Sequence, residues 1–353
     1  MKKQGTATLL LGAAAVLLML RREACAAGVR AGIQICGAVL IPSLFPFSVL
    51  TALWIASGSA EALCCGPGRW MERIWRLPAQ AVIPLAAGLV GGYPIGAQSL
   101  AQMVAEGRLE REDGAALSAF CNNPGPAFLI GAVGAGVLEA PALGTLIWGI
   151  CLAAALLTGR WNAGPFRMRR KAAKPAPAAS LLTVFPAALW QGVTAMLRVC
   201  GTVVLFSGLR SVLEEALSVL ALPEWLRAAA AGAAELTTGA LALRPLPLPL
   251  RFVLASSMAA WGGVCVHLQA AEALLRAGLP LKAYLIGKLK QTAIAALLAL
   301  CLVPWLFPEA AARLTMARPA SLLPLFSVPV LCFKRQFAHS AKNKHWKMKK
   351  PVL

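Results

Sequence analysis

Apolar positions along this chain come in unbroken runs, not at the spacing of a helix that turns one face to water. Residues 6–20, 33–55, 141–157, 193–209, 284–306 and 321–333 are mostly apolar all round, leaving no polar stripe of the kind a soluble amphipathic helix needs. Several runs are long enough to cross about 30 Å of hydrocarbon at about 1.5 Å per residue. The pattern predicts an all-α, polytopic membrane protein.

The runs also repeat. Residues 159–180 are basic and rich in Pro and Ala, too polar for hydrocarbon and, with Pro175 and Pro177, unable to continue a helix. On either side the same order recurs: a long apolar segment (33–55, then 185–213), a Gly/Ala-rich one (83–104, then 226–243), an interrupted one (115–138, then 252–275) and a plain span (141–157, then 284–306). Ala86-Ala87-Gly88 followed by Gly96-Ala97 is matched by Ala230-Ala231-Gly232 followed by Gly239-Ala240. The expected organisation is a first span and connector at 1–30, a first repeat at 31–158, a cytoplasmic linker at 159–180, a second repeat at 181–307, a last span at 308–333 and a cytoplasmic tail at 334–353. Lys2-Lys3, the apolar stretch to Leu20 and Ala24-Cys25-Ala26 imitate a cleavable leader; the segment is read as a retained span.

Charge sets the orientation. The net charge of +20 is concentrated at Arg160, Arg167, Arg169, Arg170, Lys171 and Lys174, and at Lys334, Arg335, Lys342, Lys344, Lys347, Lys349 and Lys350, two segments without an acid. Short basic loops beside apolar spans are cytoplasmic by the positive-inside rule, and they suit anionic lipid better than nucleic acid. With linker and tail on one side, the second half plus 321–333 crosses an even number of times and the half alone an odd number. Its two plain spans give two crossings, so 226–275 adds one net crossing and one of its members is re-entrant. Halves with odd crossing numbers are what inverted-topology repeats require. The same count puts Lys2 and Lys3 inside, as the rule asks, and Arg21 and Arg22 outside, against it, which fixes the crossing number to within one.

Composition agrees and narrows the chemistry. With 59% hydrophobic and 14% charged residues and a mean hydropathy of +0.70, the chain does not describe a water-facing surface. Its ten cysteines contain no Cys-x-x-Cys pair, its three histidines no zinc-protease spacing, and no Gly-x-Ser-x-Gly occurs. Neither a metal or cofactor site nor an enzyme is indicated.

Function is expected where the apolar segments break. Phe120-Cys121-Asn122-Asn123-Pro124-Gly125-Pro126 lies in an uncharged stretch, and its prolines and glycine stop a helix. Within a membrane, backbone freed in this way is tolerated only inside protein or along a cavity, and a new helix N-terminus there attracts anions. Val90-Gly91-Gly92-Tyr93-Pro94-Ile95-Gly96 is a companion break, followed by Gln98 and Gln102 on one face. In the second half, Glu235 with Thr237 and Thr238 places an acid in an Ala/Leu segment, which marks function by default. Ser256-Ser257 leads into a Gly262-Gly263 break followed by His267 and Gln269. The polar stretch 106–113 reads as a solvated turn.

These residues resemble the nucleoside-recognition, or Gate, superfamily, and more closely the sporulation integral membrane proteins of the YlbJ (SpoVV) type. The resemblance rests on Gly92–Gly96, Phe120–Pro126, Glu235–Gly239 and Trp261–Gln269 taken in order, and spans most of residues 40–305; Pro124 and Cys265 stand where smaller residues are expected. It implies an architecture related to concentrative nucleoside transporters, with Gate-like repeats, and a role in moving dipicolinic acid across the outer forespore membrane. The solute-binding candidates are Tyr93, Gln98, Asn122, Asn123, Gly125, Ser256, Ser257, His267 and Gln269, with the helix N-termini and the Asn and Ser residues facing two carboxylates. Glu235, Thr237 and Thr238 are the ion-coupling candidates, since Glu235 repels a dianion unless it takes up a proton or a cation such as sodium. The alternatives are a nucleoside or other small-metabolite carrier, and a non-transporting sporulation scaffold that recruits partners through its tail.

Overall fold

The computed structural model describes residues 2–162, 179–216 and 222–309. Most of the basic linker, the expected span 321–333 and the basic tail lie outside the described residues. The chain divides into two compact units, 1–303 and 304–353; of the second, residues 304–309 are described. Every regular element among the described residues is helical.

Helix α1 (Lys2–Leu20) precedes α2 (Arg22–Ile35), which passes through a π-helical turn, Cys36–Leu40, into α3 (Ile41–Ala56). The apolar rod thus runs over Arg22–Ala56, longer than the expected 33–55. The polar connector Arg22-Glu23 is taken into the helix, and Arg21, at the junction, pairs with Glu215. The short α4 (Ala62–Cys65) and α5 (Pro67–Trp70) lead to α6 (Val82–Gly91), with a bend of 106° between Pro67–Trp75 and Ala79–Gly91. Then come α7 (Ile95–Ala105), α8 (Arg111–Ser118), a π-helical segment at Phe128–Ala135 and α9 (Pro141–Trp161). The second half holds α10 (Leu181–Ala216), α11 (Glu224–Ala234), α12 (Leu236–Leu241), α13 (Leu248–Trp261), α14 (Gly263–Arg276) and α15 (Leu281–Leu306).

The helices follow in the order α2–α3, α6 and α7, α8 and the π-helical segment, α9, then α10, α11 and α12, α13 and α14, α15. The matched glycines behave alike. Gly88 touches Gly96 across α6 and α7, and Gly232 touches Gly239 across α11 and α12. Among the described residues five helical stretches are long and apolar enough to cross a membrane, Arg22–Ala56, Pro141–Trp161, Leu181–Glu215, Leu248–Arg276 and Leu281–Leu306; the bent pair makes a sixth if it is one span.

The faces of these helices are arranged for lipid. On α9 the inward positions are Gly144, Ile147, Ile150, Cys151, Ala154, Ala155, Thr158 and Gly159, at helical spacing and mostly small. On α10 the outward ones include Leu182, Phe185, Leu189, Trp190, Leu197 and Leu205. Small residues let helices approach where lipid removes the hydrophobic drive to associate, and large apolar side chains face the hydrocarbon.

Two polar contacts tie down the bent segment and the turn that precedes it. The Trp75 indole donates to the Leu156 carbonyl of α9 at 3.0 Å and stacks on Phe120. Trp75→Phe removes the donor and leaves a smaller ring at a buried site, an expected cost of about 1–3 kcal/mol that reads as a lowered Tm in detergent. Arg108 pairs with Glu61, their side chains only 11% and 17% exposed. The 106–113 stretch is therefore tied down and only partly solvated: residues 106–110 turn, and 111–113 open α8 with Glu112 and Asp113 at its positive end.

Candidate functional site

Four interruptions build the site. The first lies between α6 and α7 at Gly92-Tyr93-Pro94, where Gly92 has φ 79° and the Tyr93–Pro94 bond is cis. The second spans 119–125, after which helix resumes, as the Asn-Asn-Pro-Gly-Pro composition requires. Its backbone threads between α6 and α7: the Cys121 carbonyl lies against Gly88 and Gly96, where any Cβ would collide with it.

The third interruption is at Glu235 itself, a break the sequence reading did not place. Glu235 has extended dihedrals (φ −144°, ψ 123°) between α11 and α12, and its two carboxylate oxygens accept from the backbone N–H groups of Thr237 (2.8 Å) and Thr238 (2.7 Å). The acid is 3% exposed and sits on the positive end of α12. It escaped notice as a cap because helices usually begin on Ser, Thr, Asp or Asn. The fourth interruption is Gly262-Gly263, with φ 91° and 84°, a left-handed pair that only glycine adopts cheaply.

The interruptions meet. Gly92 packs on Gly125, Gly262 on the Tyr93 ring, and Gly263 on the backbone at Glu235. The Trp261 indole donates to Ala233 O at 3.1 Å. The Tyr93 hydroxyl donates to Ala259 O at 2.8 Å, at the C-terminal end of α13.

Helix α15, expected as a plain span, holds two of the broken ends. Tyr284, Gly287, Lys288 and Gln291 form a buried stripe at positions that share a face. The Lys288 ammonium donates to Ala260 O (3.2 Å), the Tyr93 hydroxyl oxygen (3.1 Å) and Gln291 Oε1 (3.1 Å). Gln291 Nε2 donates to Ala119 O (2.7 Å), just past the end of α8. Carbonyls left over at helix ends need such donors. Gln291→Leu leaves Ala119 O without this one, an expected cost of about 1–3 kcal/mol visible as a fall in Tm. The Tyr284 hydroxyl accepts from Asn122 Nδ2 (3.4 Å) and lies 3.0 Å from His267 Nδ1.

A cavity of about 50 Å³ opens where the interruptions converge, lined by Tyr93, Pro124, Gly125, Glu235, Thr237 and Gln269 together with residues of α3, α10 and α14. It has room for roughly four waters, whereas ligand pockets run from about 300 Å³ upward, so it is too small for a metabolite as it stands. Among the buried polar atoms without a hydrogen-bond partner are Asn122 Oδ1, Asn123 Oδ1, Thr238 Oγ1 and His267 Nε2, which do not line the cavity but belong to segments that do, through Pro124, Thr237 and Val266. Burying polar groups unsatisfied is costly, and such groups ask for an occupant or water.

The remaining candidates fall as follows. Asn123 donates to Phe120 O (2.8 Å). Gln269 donates to Thr202 Oγ1 (2.5 Å). Ser256 and Ser257 donate to Phe252 O and Val253 O of their own helix, each at 2.8 Å, and do not line the cavity. Gln98 lines a separate cavity of about 20 Å³ with Ser48, Thr51, Ser99 and Gln191. The start of α12, a helix end the sequence reading did not place, is occupied by Glu235.

No family model matches the chain, and no solved structure does. The chain is 28% identical over 250 residues to the sporulation integral membrane protein YlbJ of Bacillus subtilis (strain 168), covering 65% of this chain and 59% of that protein. It therefore spans about three fifths of the length of the curated relative it matches. The similarity supports a sporulation membrane protein of the YlbJ type, as the four motifs suggested, and the apolar helices make it an integral membrane protein.

Proposed function

We propose that the chain is a membrane transporter of a small anionic metabolite, dipicolinic acid, acting across the outer forespore membrane during sporulation, on a fold of two inverted repeats. The observation that carries the transporter reading is the meeting of four helix interruptions beside one mostly apolar cavity that Glu235, Thr237 and Gln269 border. Irregular backbone at membrane depth belongs beside a cavity, and broken helices from two repeats are how secondary transporters build mid-membrane sites. The identity of the solute rests on the resemblance. Because the cavity is smaller than the solute, binding requires the interruptions to part, as alternating access does.

Glu235 takes the coupling role in this reading. Protonating it removes one of the two acceptors that hold the start of α12, so a proton, or a cation drawn to the carboxylate, changes the same helix end that borders the cavity. The test is heat protection of the purified protein. Dipicolinate is expected to raise Tm by several degrees and adenosine to leave it unchanged; protection by adenosine alone overturns the assignment of the solute, and protection by neither overturns the transporter reading.

A further inference from the structure

Among the described residues, Lys288 is 1% exposed and lies within an apolar span, yet no ion pair includes it. Its three N–H donors are all used, but on neutral acceptors: a tyrosine oxygen, a helix-end carbonyl and a glutamine oxygen. Capping Ala260 O and meeting Gln291 are tasks a neutral amide performs with far less desolvation. The end of α13 offers about half a negative charge in return, and the Tyr93 ring, 4.7 Å from the ammonium, adds a weak attraction. The other buried charge, Glu235, is already committed to the start of α12. The positive charge of Lys288 therefore exceeds what its structural contacts use.

The groups around it are set for an anion. Asn122 Nδ2 donates to the Tyr284 hydroxyl, so that hydroxyl is free to give its proton to His267 Nδ1; the neutral imidazole then carries its hydrogen on Nε2. That nitrogen is buried and has no partner. Tyr284 and Lys288 are one turn apart on α15. A cation without a counter-charge and an N–H donor without an acceptor thus belong to two hydrogen-bonded groups anchored on neighbouring turns of α15, the first reaching the cavity through Tyr93.

We propose that Lys288 is the residue that makes this site select a carboxylate over a neutral solute, with the His267 Nε2–H as a second, directional donor; of the two buried charges Glu235 lines the cavity itself and Lys288 reaches it through Tyr93. The inference rests on the transporter reading of the same cavity.

The test compares the affinity of the full-length protein in detergent for pyridine-2,6-dicarboxylate, its monoamide and its neutral diamide. Wild type is expected to bind in the order diacid, monoamide, diamide. Lys288→Gln is expected to lose at least about 30-fold for the diacid while holding the diamide within about threefold, a change in selectivity that a merely structural role does not produce. Lys288→Met, which keeps the apolar stem, repeats the measurement if the glutamine protein does not fold. If neither folds, the wild-type series decides: affinity that rises with each carboxylate supports the proposal, and a diamide bound as tightly as the diacid overturns it. A neutral variant that keeps the diacid preference, or that loses diacid and diamide equally, also overturns it. Failure of wild type to bind any of the three removes the transporter reading, and this inference with it.

Discussion

Gly88→Ala is expected to leave little folded protein. Gly88 and Gly96 form the gap through which the second interruption passes, and a Cβ at either meets the Cys121 carbonyl oxygen, which is backbone and cannot swing aside. Relief requires shifting either α6 or the Asn122-Asn123-Pro124 segment, and both are part of the site. A cost of about 3 kcal/mol or more follows, at or beyond the upper end for overpacked cores because the clash is with backbone, and it shows as loss of the monodisperse peak in detergent chromatography. Gly149→Ala is the control. Nothing lies within 4 Å of a Cβ there, so the change in the middle of α9 should be neutral or stabilise by up to about 1 kcal/mol.

Glu235→Ala has the second largest expected effect. It removes the cap of α12 and leaves the N–H groups of Thr237 and Thr238 buried without acceptors, about 1–3 kcal/mol for each. Transport should fall by about 100-fold or more at every pH, because the end of α12 that borders the cavity loses its anchor. Glu235→Gln keeps one oxygen and is expected to fold. Its uptake should no longer respond to pH or to a sodium gradient, and normal transport under every gradient would remove the coupling role.

Much of the architecture was legible because membrane helices announce themselves in apolar runs, and because Pro and Gly interrupt them for local reasons. The breaks at Gly92-Tyr93-Pro94, Asn122-Asn123-Pro124-Gly125 and Gly262-Gly263 lie where those residues put them. The Glu235 break has no such residue. A single side chain capping two amides depends on geometry that composition does not carry. Lys288 and Gln291 are a different omission: a lysine within a span marks function by the same rule that singled out Glu235, but the Leu and Ala around them made 284–306 look uniform. Only with α15 packed does the stripe at Tyr284, Lys288 and Gln291 stand out as its inner face. Which interruptions touch was not legible at all, since contacts such as Gly92 on Gly125 join residues far apart in the chain. Ser256 and Ser257 show the converse: hydroxyls beside a break look like ligands, but they return to their own helix carbonyls.

The central claim is that the converging interruptions form a solute pathway. Uptake of labelled dipicolinate by vesicles containing the purified protein tests it most directly, with adenosine as the competing solute and Asn123→Ala as the altered site. Saturable dipicolinate uptake that adenosine does not inhibit, reduced at least about tenfold in Asn123→Ala, is the predicted result. Vesicles that take up no more of either solute than protein-free ones, or an Asn123→Ala protein as active as wild type, would contradict it.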